Sequence, residues 1–138
     1  MLQRTLTFIK PDAFAQGHCG EIIGIIEKAG FKLKSAQIRK LTKDEAGLFY
    51  QEHKGKDFYE GLLDYASSSP IFIFCLEKEN AIEDLRKLVG VTDPAKAAEG
   101  TIRSLFGINV RRNAIHASDG TASAEREIRF FFPQLHLD

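Results

Sequence analysis

The chain has 138 residues, its 19 Lys and Arg are balanced by 19 Asp and Glu, and 43% of it is hydrophobic. That is enough for one domain with a core of its own, and it leaves no net field to gather a polyanion such as DNA. The longest apolar run, Ile71 to Leu76, is far too short to span a bilayer, and no apolar signal region opens the chain.

Thr5 to Lys10 reads as a strand, with Leu6, Phe8 and Lys10 on one parity, and Pro11 and Asp12 break it. Ile22, Ile25, Ile26 and Ala29 recur at helical spacing, with Gly30 as the stop. Cys19 opens that helix and Cys75 falls in a later strand. Without metal or redox spacing they read as reduced thiols, so the cytoplasm is the expected compartment. From Phe31 the alternation of a strand runs to Leu33 and then changes phase at Ala36 and Ile38, which predicts a bulge. Thr42 and Glu45 form a capping box for a helix carrying Phe49 and Tyr50, and a short helix is predicted over Phe58 to Tyr65. Ile71 to Leu76 is apolar without alternation, as a central strand covered on both faces would be. Asn80, with Glu83 three residues on, is expected to cap a helix through Leu85, Leu88 and Val89. Gly90 to Val110 is expected to be a long loop with one helical turn, and loops of that length usually serve function. Ile115 to Ala117 is a short strand, and Asp119 or Thr121 is expected to cap the last helix. The order is a βαββαβ unit: an α+β, ferredoxin-like sandwich with a four-stranded antiparallel sheet and added helices. It is one domain over residues 1–138.

The chemistry points to side chains. No glycine-rich phosphate loop or dinucleotide fingerprint is present. A phosphate group would have to be held by Arg86, Thr92 and Arg103, with Arg111 and Arg112 reading by themselves as solvated charges. His116 lies between Asn113, Ser118 and Asp119. Neutral imidazole is a competent nucleophile near pH 7, and one held in a single tautomer can carry a covalent intermediate. Glu127, beside the core face of the last helix, needs a partner, and His116 is the candidate.

Four landmarks carry a resemblance: Ile9-Lys10-Pro11-Asp12, Thr92-Asp93-Pro94, Gly100-Thr101-Ile102-Arg103, and Asn113 to Asp119. In this order and spacing the chain resembles the nucleoside diphosphate kinases from end to end. The resemblance implies ping-pong transfer of a γ-phosphoryl group from ATP to nucleoside diphosphates, ribo and deoxy, through phosphorylated His116, with Mg²⁺ carried by the nucleotide rather than by a protein site. It implies that Phe58 stacks on the base with Val110 beside it, and that Lys10 and Asn113 bond the sugar hydroxyls. Arg86 and Thr92 would hold the β-phosphate and Arg103 the γ-phosphate. Tyr50 would support His116 and Lys10, while Glu127 and Ser118 would fix the imidazole so that Nδ1 attacks. A homo-oligomer, tetramer or hexamer, is implied as well, the choice turning on a chain that ends soon after the last helix. Three positions depart from the family pattern: Ala117 and Arg111 replace glycines, and Ser68-Ser69-Pro70 stands for Ser-Gly-Pro. None removes a group with an implied role. The alternatives are a nucleic-acid-binding module of the same fold and an inactive relative. The zero net charge and the lack of an aromatic RNA-binding strand disfavour the first, and the retained Lys10, Arg86, Arg103, His116 and Glu127 disfavour the second.

Overall fold

The computed structural model describes residues 1–135. Strands β1 (Leu2–Ile9), β2 (Lys32–Arg39), β3 (Ile71–Glu79) and β4 (Ile115–Ala117) form one sheet in the order β2-β3-β1-β4. Every adjacent pair is antiparallel. Among the described residues seven α-helices surround it: α1 (Pro11–Ala15), α2 (Cys19–Lys28), α3 (Lys43–Phe49), α4 (Tyr59–Ala66), α5 (Ala81–Val89), α6 (Ile102–Phe106) and α7 (Thr121–Phe131). This is the expected ferredoxin-like α+β sandwich with added helices.

The two faces of the sheet explain the unbroken apolar run in β3. Ile71, Ile73 and Cys75 face a layer built from α3, α4 and α7, packing with Phe49, Leu63, Ile128 and Phe131. Phe74 and Leu76 face the other layer, where Ile22, Ile26 and Leu85 come from α2 and α5. A strand buried on both sides has no reason to alternate. Cys19 and Cys75 are both free.

Several boundaries follow local chemistry that the pattern had read correctly. The capping box is complete: Glu45 N–H donates to Thr42 Oγ1 at 3.0 Å and Thr42 N–H to Glu45 Oε1 at 2.9 Å. The register of β2 against β3 shifts between Leu33 and Ser35, which is the bulge. Gly30 ends α2 with φ +98°.

Others differ from expectation. β1 starts at Leu2 and ends at Ile9, so Lys10 lies just past it, and Pro11 opens a five-residue helix rather than merely breaking the strand. Asn80 is left-handed (φ 54°) and its side chain does not cap α5; its Nδ2 donates to Asp84 Oδ1 at 3.2 Å. The cap comes from a neighbouring strand, because Ile82 N–H donates to Gln3 Oε1 at 3.2 Å. At α7 neither Asp119 nor Thr121 is the cap. Gly120 holds that position, and its N–H donates to Ser123 Oγ at 3.0 Å while Ser123 donates to Asp119 at 2.6 Å. The segment from Gly90 to Val110 contains two helical pieces, a 3₁₀ turn at Pro94–Lys96 and α6, each opened by its own side-chain cap from Asp93 and Thr101.

Candidate active site

β4 pairs with the C-terminal half of β1, placing His116 opposite Phe8. Their rings stack with centroids 4.8 Å apart, and Phe49 lies edge-on beside both, 5.4 Å from His116 and 5.6 Å from Phe8. Stacked on Phe8 and bonded to Glu127, the imidazole has one orientation, in which its two nitrogens have different surroundings. Nε2 lies 2.7 Å from Glu127 Oε1. Glu127, buried on the core side of α7, also accepts from Ser118 Oγ at 2.7 Å, and Ser118 is in reach of the Leu6 carbonyl at 3.2 Å. A carboxylate only accepts, so Nε2 carries the proton and Nδ1 keeps a lone pair. The second oxygen of Glu127 faces Arg126 at 3.8 Å, and Arg126 also reaches Glu52 at 3.6 Å.

Lys10 sits one residue beyond β1 in extended backbone, so its side chain keeps the parity of Phe8 and turns toward the same side as His116. Its Nζ donates to Asn113 Oδ1 at 2.7 Å, and Asn113 Nδ2 donates to the Thr92 carbonyl at 2.9 Å. Burial first, and Arg103 second, lower the Lys10 ammonium from 10.5 to about 8, with Asp12 opposing. Arg103 is gripped by backbone: Nη1 donates to Gly90 O at 3.0 Å and Nη2 to Ile115 O at 2.9 Å. Its buried Nε has no hydrogen-bond partner among the described residues. Burial, followed by Arg86, lowers it to about 10. Gly90 must be glycine for this arrangement. Its φ is +93°, and a Cβ there would sit 2.7 Å from Thr101 Oγ1.

The loop before β4 is pinned by groups to which sequence reasoning assigned no role. Ala114 is fully buried with φ 78°, an unusual conformation for alanine. Its N–H donates to Asp12 Oδ2 at 3.2 Å and its carbonyl accepts from Lys10 N–H at 2.8 Å. The Tyr65 hydroxyl donates to the other oxygen of Asp12, and burial, then that contact, push its phenol well above the ordinary range. Asp12 belongs to a quoted landmark, so the signal was present. What it braces lies 102 residues away and could not be read locally.

These groups open onto one cleft of about 1140 Å³. Every residue given a site role from the sequence lines it except Ser118, which lies beneath Glu127. Arg86 and Thr92 are exposed on its wall; Phe58, 44% exposed, and Val110, 57% exposed, stand at its mouth. Phe58 caps α4 rather than lying within it, with the His53 ring 5.4 Å away. Tyr50 lines the cleft, packed edge-on against Phe49, without a hydrogen bond to His116 or Lys10. Arg111 is not simply solvated. It is half-buried in the cleft wall, whereas Arg112 lies over the Tyr65 ring at 5.5 Å. Asp119 is exposed on the same wall, and the Ser123 hydroxyl holds its carboxyl below the usual range. The arrangement can bind a polyphosphate through three cations and offer its end to an unprotonated ring nitrogen.

Comparison with known proteins agrees. A sequence model described as nucleoside diphosphate kinase matches residues 3–137. A Streptomyces avermitilis protein named nucleoside diphosphate kinase is 49% identical over 134 residues, 96% of this chain and 98% of its own. One of the same name from Sorangium cellulosum is 48% identical over 131 residues, 95% of this chain and 91% of its own. The crystal structure of Aquifex aeolicus nucleoside diphosphate kinase superimposes with a TM-score of 0.95 at 38% identity, covering 100% of both chains.

Proposed function

The chain belongs to the nucleoside diphosphate kinase family, and we propose that His116 is its phosphoryl carrier. Members of the family move the γ-phosphoryl group of a nucleoside triphosphate to a nucleoside diphosphate by a ping-pong cycle through a phosphohistidine. The single observation that supports His116 is the chain Ser118–Glu127–His116 under the cleft, with each contact at 2.7 Å.

In the first half-reaction Nδ1 gives its lone pair to the γ-phosphorus and the bond to the β,γ-bridging oxygen breaks, releasing the diphosphate. The imidazole becomes cationic as it forms that bond, and Glu127 balances the charge through Nε2–H. A loose phosphoryl transition state calls for alignment and charge neutralisation more than for proton transfer. Lys10, Arg86 and Arg103 supply that charge, and Thr92 adds a donor at the β-phosphate. Phe58 and Val110 hold the base by its faces, Asn113 and Lys10 take the sugar hydroxyls, and Tyr50 packs the wall behind them. The second half-reaction is the reverse with a different diphosphate in the same place.

The family's reaction uses a divalent cation, and we assign Mg²⁺, bound to the nucleotide. Mg²⁺ typically keeps substrate phosphates, water and one or two carboxylates as ligands. The donor set fits this mode. No group of three or more His, Cys, Asp and Glu side chains forms a metal cage among the described residues, while Asp119 presents one carboxylate to the cleft. When bound it would spread charge on the β- and γ-phosphates.

No helix among the described residues is long and apolar enough to cross a membrane, and we place the enzyme in the cytoplasm. We also read the chain as a homo-oligomer. The edge strand β2 supports this, because it has an open backbone side and carries the exposed Ile38. Initial velocities with ATP and GDP varied together test the mechanism. Parallel double-reciprocal lines are expected; intersecting lines would mean direct transfer between two bound nucleotides.

A further inference from the structure

Arg111 is a cation of the cleft wall that the phosphoryl chemistry does not use. Its backbone is fixed, since its N–H and that of Arg112 both donate to Asn109 Oδ1, at 3.1 and 2.8 Å. Its guanidinium lies flat against α4 at Gly61: a Cβ there would meet Nη1 at 2.7 Å, Nη2 at 3.2 Å and Cζ at 3.3 Å. No side-chain hydrogen bond or ion pair holds that guanidinium among the described residues, and Gly61 leaves the space that seats it. Phe58 is three residues before Gly61 and already helical in backbone (φ −83°, ψ −3°), so the two share one face of the helix, a single turn apart. A base lying on Phe58 therefore extends its edge toward Arg111.

We propose that Arg111 reads the edge of the base and makes this enzyme favour oxo bases over amino bases. This rests on the phosphotransfer reading above. A guanidinium has only donors, arranged as a fork. Guanine offers O6 and N7, two acceptors matched to that fork, whereas adenine offers N7 beside an N6 donor that opposes it. Among pyrimidines, uracil and thymine offer O4 where cytosine offers an amino group. Stacking alone discriminates weakly, because every base has a π face. The fork adds a criterion that stacking lacks.

The test is kcat/KM for GDP, IDP and ADP as acceptors from phosphorylated enzyme, in wild type, Arg111→Met and Gly61→Ala. Wild type should favour GDP over ADP by about tenfold. IDP should behave like GDP, because it keeps the 6-oxo group without the 2-amino group. Arg111→Met should bring the ratio near one. Gly61→Ala should do much the same by pushing the guanidinium off its seat, and since the clash involves the flexible end of a side chain it keeps the fold. Should Arg111→Met not fold, Arg111→Lys, which keeps charge and loses the fork, should lose most of the preference. A wild-type ratio near one, IDP behaving like ADP, or a preference that survives these substitutions overturns the proposal. Failure to transfer to any acceptor, ADP included, overturns the kinase reading and this proposal with it.

Discussion

Raising the pH should disable this enzyme well below the pKa of ordinary lysine, because Lys10 has been moved to about 8 by burial and by Arg103. Free Lys10 would then be half charged near pH 8 and about 3% charged at pH 9.5, so kcat/KM for ATP should be about 30-fold below its neutral value. A lysine left at 10.5 would lose only about a tenth of its charge at that pH. The Tyr50 phenol in the same cleft is pushed upward by burial, then by Glu127 and Glu52, and stays out of this window. The assay is the second-order rate of enzyme phosphorylation by labelled ATP from pH 7 to 9.5, in wild type and Lys10→Met. Stability should move in the opposite direction. The folded pKa lies below the unfolded one, so between about pH 8 and 10 the unfolded chain binds more protons at this site. Charged Lys10 thus destabilises the fold at neutral pH by at most about 3 kcal/mol, and the penalty is relieved as pH rises. A wild-type rate that stays flat to pH 9.5, or an alkaline decline that persists unchanged in Lys10→Met, would refute the reasoning.

Removing the hydroxyl under Glu127 with Ser118→Ala should cost about 1–3 kcal/mol of transition-state or folding free energy, divided between slower phosphorylation and an earlier urea midpoint; wild-type values in both would contradict it. Asp12→Ala strands the Ala114 N–H and the Tyr65 hydroxyl, and the left-handed Ala114 is held by that acceptor. It should lower stability by about 1–3 kcal/mol in denaturant titration and reduce activity through displaced Asn113. Phe58→Ala should raise KM for every nucleotide with little change in kcat at saturation, because the ring touches the base and not the reacting phosphorus. A kcat loss without a KM change would place Phe58 elsewhere in the mechanism.

What could be read from the sequence divides by range. β3, the bulge in β2, the Thr42 capping box and the short β4 were all legible, because the pattern that defines each lies within a few residues. The caps of α5 and α7 were misread. Asn80 has the right chemistry for a cap, yet Gln3 on β1 supplies the acceptor, and Ser123 reaches back to Gly120 inside a helix that starts later than Asp119 suggests. Between Gly90 and Val110 one helical turn is expected and two short helices are found, because their few apolar positions show no periodicity; of their residues Ile102 alone is fully buried. At the site, His116, Lys10 and Arg103 are legible as candidates through their landmarks, and Glu127 as a carboxylate beside the core face of the last helix. Their geometry is not. The Phe8–His116 stack depends on strand register, the Asp12–Tyr65 brace spans 53 residues, and the seat of Arg111 on Gly61 joins a loop to a helix fifty positions earlier.

The most direct measurement is the fate of the label after incubation with γ-labelled ATP and Mg²⁺, read by peptide mapping and ³¹P NMR, followed by a chase with unlabelled GDP. An acid-labile, alkali-stable phosphoryl group on Nδ1 of His116 that passes to GTP in the chase, and that is absent from His116→Ala, is the result predicted here. Label on another residue, on Nε2, or on His116 without transfer to GDP would contradict the central claim.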